Sequence, residues 1–227
     1  MAQLPPALSN GSVEQGRISQ RTIEEERREQ ILAAITEVFA KRGYPSATVE
    51  HLIAGGKVSM GGFYNYFEGK EDCFVQAYER VIAQIFDRIR EAVPADAEWQ
   101  TQVTSGLRAL VSYLVEQPLA SRIVLLEAQA GGPEAVRRYN ETLKQAAAFL
   151  RRGRAESREA EKLPESFEDA TASGLVWLLQ SRLARGELGD AAELYPQMGK
   201  VVLEPYLGRE RAERALRDAN DEHAASR

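Results

Sequence analysis

Apolar residues recur at spacings of three and four along most of the chain, and strand-like alternation appears nowhere. Ile31, Ala34, Ile35, Val38 and Phe39 form one stripe, which predicts a helix over 23–42. Thr22 and Glu25 stand before it at capping-box spacing, and glutamates fill its first turn, where the helix dipole favours anions. Lys41-Arg42-Gly43 ends it, with cations near the last carbonyls and a glycine able to turn left-handed. A second, longer stripe of Phe74, Tyr78, Val81, Ile82, Ile85 and Ile89 predicts a helix over 70–92, roughly 30 Å long.

Further stripes predict helices over 97–117, 119–129, 134–154 and 166–185, separated by Pro118 and by Gly131-Gly132-Pro133. A last helix follows the turn at 186–190, is started or interrupted by Pro196, and ends at Gly208. The segment 151–164 is charge-dense and reads as a solvated helix end and loop. The fold class expected is all-α, with about nine helices. Residues 1–20 carry Pro5-Pro6 and Asn10-Gly11 without an apolar period, and are expected to be a disordered arm. Arg17 and Arg21 close the arm. It is either a solvated tail or a strand of chain that can lay arginine into a minor groove. Residues 209–227 are expected to be a charged tail with no core of its own.

Between the two long stripes lies Thr48–Lys70. Thr48 offers a cap to an apolar turn, Gly55-Gly56-Lys57 breaks it, and Ser59 caps a second short helix. Phe63 and Phe67 share one face of that helix at i, i+4, and Val58 can fill the crook between the two. A short helix pair joined by a glycine-containing turn is the helix-turn-helix pattern, whose second helix enters the DNA major groove.

Ile31, Ala34, Phe39, Gly43, Tyr44, Thr48, Val49, Leu52, Val58, Ser59, Gly61, Phe63, Tyr64, Phe67, Lys70 and Glu71 together resemble the DNA-binding domain of TetR-family transcriptional regulators. The resemblance is detailed over about Arg27–Tyr78 and only architectural beyond. It implies a helix-turn-helix domain over 21–69 and a ligand-binding and dimerisation domain over 70–208. It also implies that Tyr64, Tyr66 and Lys70 approach phosphates, with Thr48 and Ser59 among the DNA-binding residues. Met60 and Asn65 are the candidate base-edge readers, Met towards a thymine methyl and Asn towards adenine. Gly61 and Gly62 cost roughly 1 kcal/mol each against alanine within a helix, which points to a close backbone approach, or else to a frayed helix start.

Two positions depart from the family pattern. Gly56-Lys57 replaces the usual Ala-Gly of the turn, so Gly56 is expected at the left-handed position, with Lys57 free to reach a phosphate. Gly62 replaces a common phosphate-binding threonine, so that contact is expected to be missing or supplied by a backbone N–H. His51 reads as an exposed helix residue.

The 227 residues are 44% apolar and 28% charged, with net charge −5, the pattern of a globular chain rather than a basic nucleic-acid binder. Even 17–72 holds eight Lys/Arg against nine Asp/Glu, so a positive DNA-facing surface has to come from placement. One cysteine, Cys73, and two histidines exclude a disulfide framework and a zinc pattern. No metal or cofactor is expected. No phosphate loop, dinucleotide glycine motif or nucleophile elbow follows a strand, and an enzyme is not expected. No run reaches the length of a membrane span, no signal-peptide build opens the chain, and a cytoplasmic location is expected.

The family precedent and the apolar excess of the last two helices imply a homodimer on a palindromic double-stranded DNA operator. The dimer candidates are Leu175, Leu178, Leu179, Arg182, Val201, Val202 and Pro205. A pocket for an unknown small-molecule effector is implied in the second domain, with Tyr78, Phe86, Tyr113, Arg122, Glu127, Tyr139, Trp177 and Gln180 as candidate lining. The expected function is a repressor released from DNA by that effector through a population shift. An activating or effector-blind regulator, and a helical adaptor that binds no DNA, are the alternatives.

Overall fold

The computed structural model describes residues 10–225, and every described element is helical. Helix α1 spans Asn10–Arg42 and buries Ile31, Leu32, Ile35, Phe39 and Ala40. It ends where expected, at Gly43, whose φ of +77° suits a residue without Cβ and whose N–H donates to the Phe39 carbonyl at 2.8 Å. It starts earlier than expected. From Asn10 onward the arm assigned to disorder is helical backbone, while residues 1–9 lie outside the described residues. No proline follows Pro6 in this stretch, and a helix nucleated on the apolar stripe extends N-terminally with one hydrogen bond per added residue.

Helix α2 spans Val49–Gly56 and α3 spans Met60–Tyr66. Helix α2 lies so close to α1 that a Cβ on Gly55 would stand 2.3 Å from Val38 Cγ2. Helix α4, Lys70–Ala92, carries the second long stripe, with Phe74, Ala77, Tyr78, Val81 and Ile85 buried. It packs on both α1 and α5, Trp99–Glu116.

Helix α6 is short, Pro118–Arg122, and runs into a π-helical turn, Ile123–Glu127, and then a 3-10 turn, Ala128–Ala130. Helix α7 is Pro133–Arg151, α9 is Phe167–Ala184 and α10 is Ala191–Leu207. Asp190 caps α10, its Oδ1 accepting from Ala192 N at 3.0 Å, so Pro196 neither starts nor interrupts the helix.

Two expectations for the second half need correction. The segment 151–164 is not all loop: α8, Arg158–Glu161, is one capped turn. Ser157 Oγ accepts from Ala160 N at 3.1 Å and donates to the Tyr206 carbonyl at 2.8 Å. The charged tail is a packed helix, α11, Arg209–Ala225. Ala212 and Leu216, one turn apart, are buried against α10, where Gly199 leaves the notch. A Cβ on Gly199 would meet Leu216 Cδ2 at 2.4 Å. The described residues hold eleven α-helices, α6 and α8 being short, against about nine expected.

The far end of the helical domain is pinned by a buried carboxylate. Glu168, at the start of α9, is fully buried. It accepts from Arg154 Nε at 2.8 Å, from another Arg154 nitrogen at 2.9 Å and from the Tyr206 hydroxyl at 3.2 Å. The same guanidinium donates to the carbonyls of Leu163 and Pro164, so it fixes the connection that leads into α9.

Candidate nucleic-acid interface

Thr48 caps α2 as expected, but in a reciprocal arrangement. Its hydroxyl accepts from His51 N, and its own N–H donates to His51 Nδ1 at 3.2 Å. His51 is therefore the N3 partner of a capping box rather than an idle surface residue. The sequence signal was its place three residues after a threonine, masked because glutamate or glutamine usually fills it.

The turn differs from expectation. Gly56 stays in α2, and Lys57 itself is left-handed, with φ 52° and ψ 43°. Lys57 is exposed, so its ammonium is available to a phosphate. A left-handed conformation costs an L-residue roughly 1–2 kcal/mol, partly offset in a glycine substitution by the freer unfolded chain. Lys57→Gly is expected to stabilise the chain by about 0.5–1 kcal/mol in urea unfolding while weakening DNA binding at low salt. A destabilised variant would contradict this.

Ser59 caps α3, its Oγ accepting from Gly62 N at 3.0 Å. That N–H is thus taken by the cap and does not replace the missing threonine contact. Phe63 and Phe67 are buried with ring centroids 5.1 Å apart, and they fix which face of α3 is left outside. Met60, Gly61, Tyr64 and Asn65 make up that face, Met60 being 56% and Tyr64 53% exposed. Nothing lies within 4 Å of a Cβ built on Gly61. Tyr66 is half-buried beside Phe67. Lys70 opens α4 and holds Nζ 4.2 Å over the Tyr44 ring, which packs in turn on Phe39 and Phe74. Burial and the nearby Glu71 carboxylate push the Tyr44 hydroxyl above its ordinary value.

The candidate effector residues divide between interior and surface, and Tyr78 and Tyr139 lie near enough to interact. The Tyr78 hydroxyl donates to Thr142 Oγ1 at 3.1 Å, joining α4 to α7, and burial pushes its pKa up to about 12. The Tyr113 hydroxyl donates to Gln84 Oε1 at 2.8 Å, joining α5 to α4, and burial raises it too. Tyr139 and Gln180 are half-buried. Trp177 is 67% exposed, and Phe86 is exposed as well, so neither lines an interior. In both cases the helical spacing marked a residue as apolar without telling which side of a helix faces out.

Arg122 and Glu127 reach towards α1. Arg122 Nε donates to the Ala40 carbonyl at 2.8 Å, and Glu127 Oε2 accepts from Tyr44 N at 2.7 Å, both on the turn that leaves α1. A charged pair flanking four apolar residues was their only trace in the sequence.

Among the dimer candidates, Leu179 and Val202 are buried in the chain's own core and present nothing to a partner. Leu175, Leu178 and Pro205 are half-buried, and Arg182 donates to Gln197 across α9 and α10 at 2.9 Å. Val201 is exposed, as are Trp177 and Gly174, which the dimer candidates did not include. Helix α9 is apolar on more than one side, and periodicity alone could not say which side the protomer keeps.

Among the described residues no single helix is long and apolar enough to cross a membrane. Residues 31–77, from the apolar stripe of α1 through α2 and α3 into α4, match the family model of bacterial regulatory proteins, tetR family. The HTH-type transcriptional regulator HbdR of Aromatoleum sp. (strain CIB) is 32% identical over 83 residues, 37% of this chain and 34% of that protein. The fatty acid metabolism regulator protein of Bacillus subtilis (strain 168) is 26% identical over 115 residues, 51% of this chain and 59% of that protein. The matches thus span about a third and about three fifths of these curated relatives. The fold extends further. The crystal structure of the transcriptional regulator FadR from Bacillus subtilis, in complex with stearoyl-CoA, superposes with a TM-score of 0.65 at 20% identity. That superposition covers 80% of this chain and 98% of FadR. A capped helix pair with its aromatic pair buried makes residues 31–77 similar to the tetR family of bacterial regulatory proteins, and the helical second half shares the fold of FadR.

Proposed function

We propose that the chain is a homodimeric, sequence-specific DNA-binding repressor that leaves a palindromic operator when a small-molecule effector with an apolar acyl part binds its helical domain. The observation that supports it most is the outward face of α3. Met60, Gly61, Tyr64 and Asn65 stand clear of the protein on a helix whose orientation two buried phenylalanines fix. Tyr64, Lys57 and Lys70 supply donors for phosphates, and Met60 and Asn65 suit base edges. One short helix reads few bases, and two-fold pairing doubles the site. Exposed Trp177 and Val201 with open Gly174 on α9 and α10 offer the apolar face for that pairing. An acyl effector suits the interior tyrosines and apolar neighbours of α4, α5 and α7, and FadR of the same fold was solved with stearoyl-CoA. This reading carries a cytoplasmic location with it.

The test is selection of bound duplexes from a random pool at low salt, with wild type, Tyr64→Ala and Lys70→Ala. An inverted-repeat consensus is expected, bound about tenfold more weakly by each variant, with a salt slope smaller by about one for Lys70→Ala. No enrichment with wild type would sink the reading. Stearoyl-CoA added to the complex is then expected to release the DNA, and a complex that survives it would favour the effector-blind alternative.

A further inference from the structure

Arg122 and Glu127 are five residues apart, yet both reach the turn that leaves α1. In a regular α-helix that spacing would set them roughly 140° apart. The turn between them is π-helical, Ile123–Glu127, and its i→i+5 pattern stacks residues five apart over one another. The wider turn is what brings the two side chains to one face. Ile123, Val124 and Leu125 are buried beneath them, so the turn is held in place by packing on the inner side.

What they hold is specific. The last carbonyls of a helix lack partners within it, and Ala40 belongs to the last turn of α1. Arg122 satisfies that carbonyl. Glu127 takes the N–H of Tyr44, the second residue beyond α1, and its Oε2 would lie 3.4 Å from a Cβ on Gly43. A cation on a helix C-terminus and an anion on a peptide N–H are both charge-assisted contacts. They come from the second domain and grip the backbone that leads into α2.

We infer that Arg122 and Glu127 are positioning residues that fix the angle of the helix-turn-helix against the effector helices, and so the separation of the two recognition helices in the dimer. Relaxation of the π turn to α-helical register swings Glu127 by about 100° and lets Tyr44 go, which makes this turn the release point. The inference rests on the DNA-binding reading above, and on geometry that can be tested without DNA.

Two measurements decide it. In a duplex pool with variable half-site spacing, wild type is expected to favour one spacing by about tenfold. Glu127→Ala and Arg122→Ala keep the same half-site but favour no spacing by more than about twofold. Glu127→Gln, whose carbonyl still accepts from Tyr44, retains the preference. Amide exchange at Tyr44 is expected to speed up about tenfold in Glu127→Ala and to stay slow in Glu127→Gln. Unchanged spacing preference in both alanine variants, or a slow Tyr44 amide in Glu127→Ala, would overturn the inference. Failure of wild type to select any DNA would strike the proposed function instead, and the Tyr44 exchange would still stand or fall by itself.

Discussion

Glu168→Ala is expected to destabilise the chain by about 3–5 kcal/mol, the usual loss when one partner of a buried ion pair is removed. The reason is what remains. The Arg154 guanidinium, 23% exposed at its side chain, loses two charge-assisted bonds but keeps those to Leu163 and Pro164, so it cannot swing out to water without undoing the connection into α9. The Tyr206 hydroxyl loses its acceptor as well. Glu168→Gln keeps the volume and one acceptor and should fall between wild type and alanine. The charge leaves an acid signature. Burial alone would raise the Glu168 carboxyl, but the hydrogen bond and charge of Arg154 outweigh it and hold the group below its ordinary value of 4.5. Such a group stabilises fully above the ordinary value, and its contribution is lost as pH falls through the depressed one. Wild type and Glu168→Gln should therefore differ at neutral pH in urea unfolding and converge in acid below 4.5. A gap that stays constant down the pH series would mean that the charge is not the source.

Neither Glu168 nor Arg154 could be singled out from the sequence, and the reason is physical. A glutamate in the first turn of a helix is usual, since the dipole favours it, and only the fold brings Tyr206 and Arg154 over it. The same holds for Arg122 and Glu127, whose partnership needs a π turn that periodicity does not show. Local signals fared differently. Thr48 and Ser59 as caps, Gly43 as stop, and Phe63 and Phe67 as the inner face of α3 depend on neighbours within four residues, and the structure has them as expected. Errors of register arose where two solutions are close in energy. Gly56 or Lys57 could take the left-handed place, and packing of Gly55 and Gly56 on α1 gave it to Lys57. Helix α11 reads as a tail in the sequence because two apolar residues, Ala212 and Leu216, make a weak stripe, and the notch at Gly199 that receives Leu216 is 17 residues away.

Phe63→Ala is expected to abolish DNA binding, unlike the roughly tenfold losses from the outward face. Phe63 is fully buried, its ring 5.1 Å from Phe67 and 5.3 Å from Tyr64. Its truncation costs about 3–5 kcal/mol in transfer and cavity terms. Helix α3 has only 7 residues, far too few to persist without its packing, so that cost falls on the helix that carries the outward face. Met60→Ala removes an exposed side chain and should change stability by less than about 0.5 kcal/mol, altering base preference alone. The two tryptophans of the chain, Trp99 and Trp177, lie in α5 and α9, so their fluorescence reports the second domain and not the first. Phe63→Ala should therefore melt helical far-UV circular dichroism signal ahead of the main transition and leave the tryptophan transition where it was. Helix α1 packs on α4, α6 and the π turn in a hydrophobic core continuous with that of α5 and α10, whereas α3 stands at its margin, so the loss is expected to stay local to α3. If both signals instead shift together, the boundary near residue 70 is not a boundary of stability, and α4 carries the two halves as one cooperative unit.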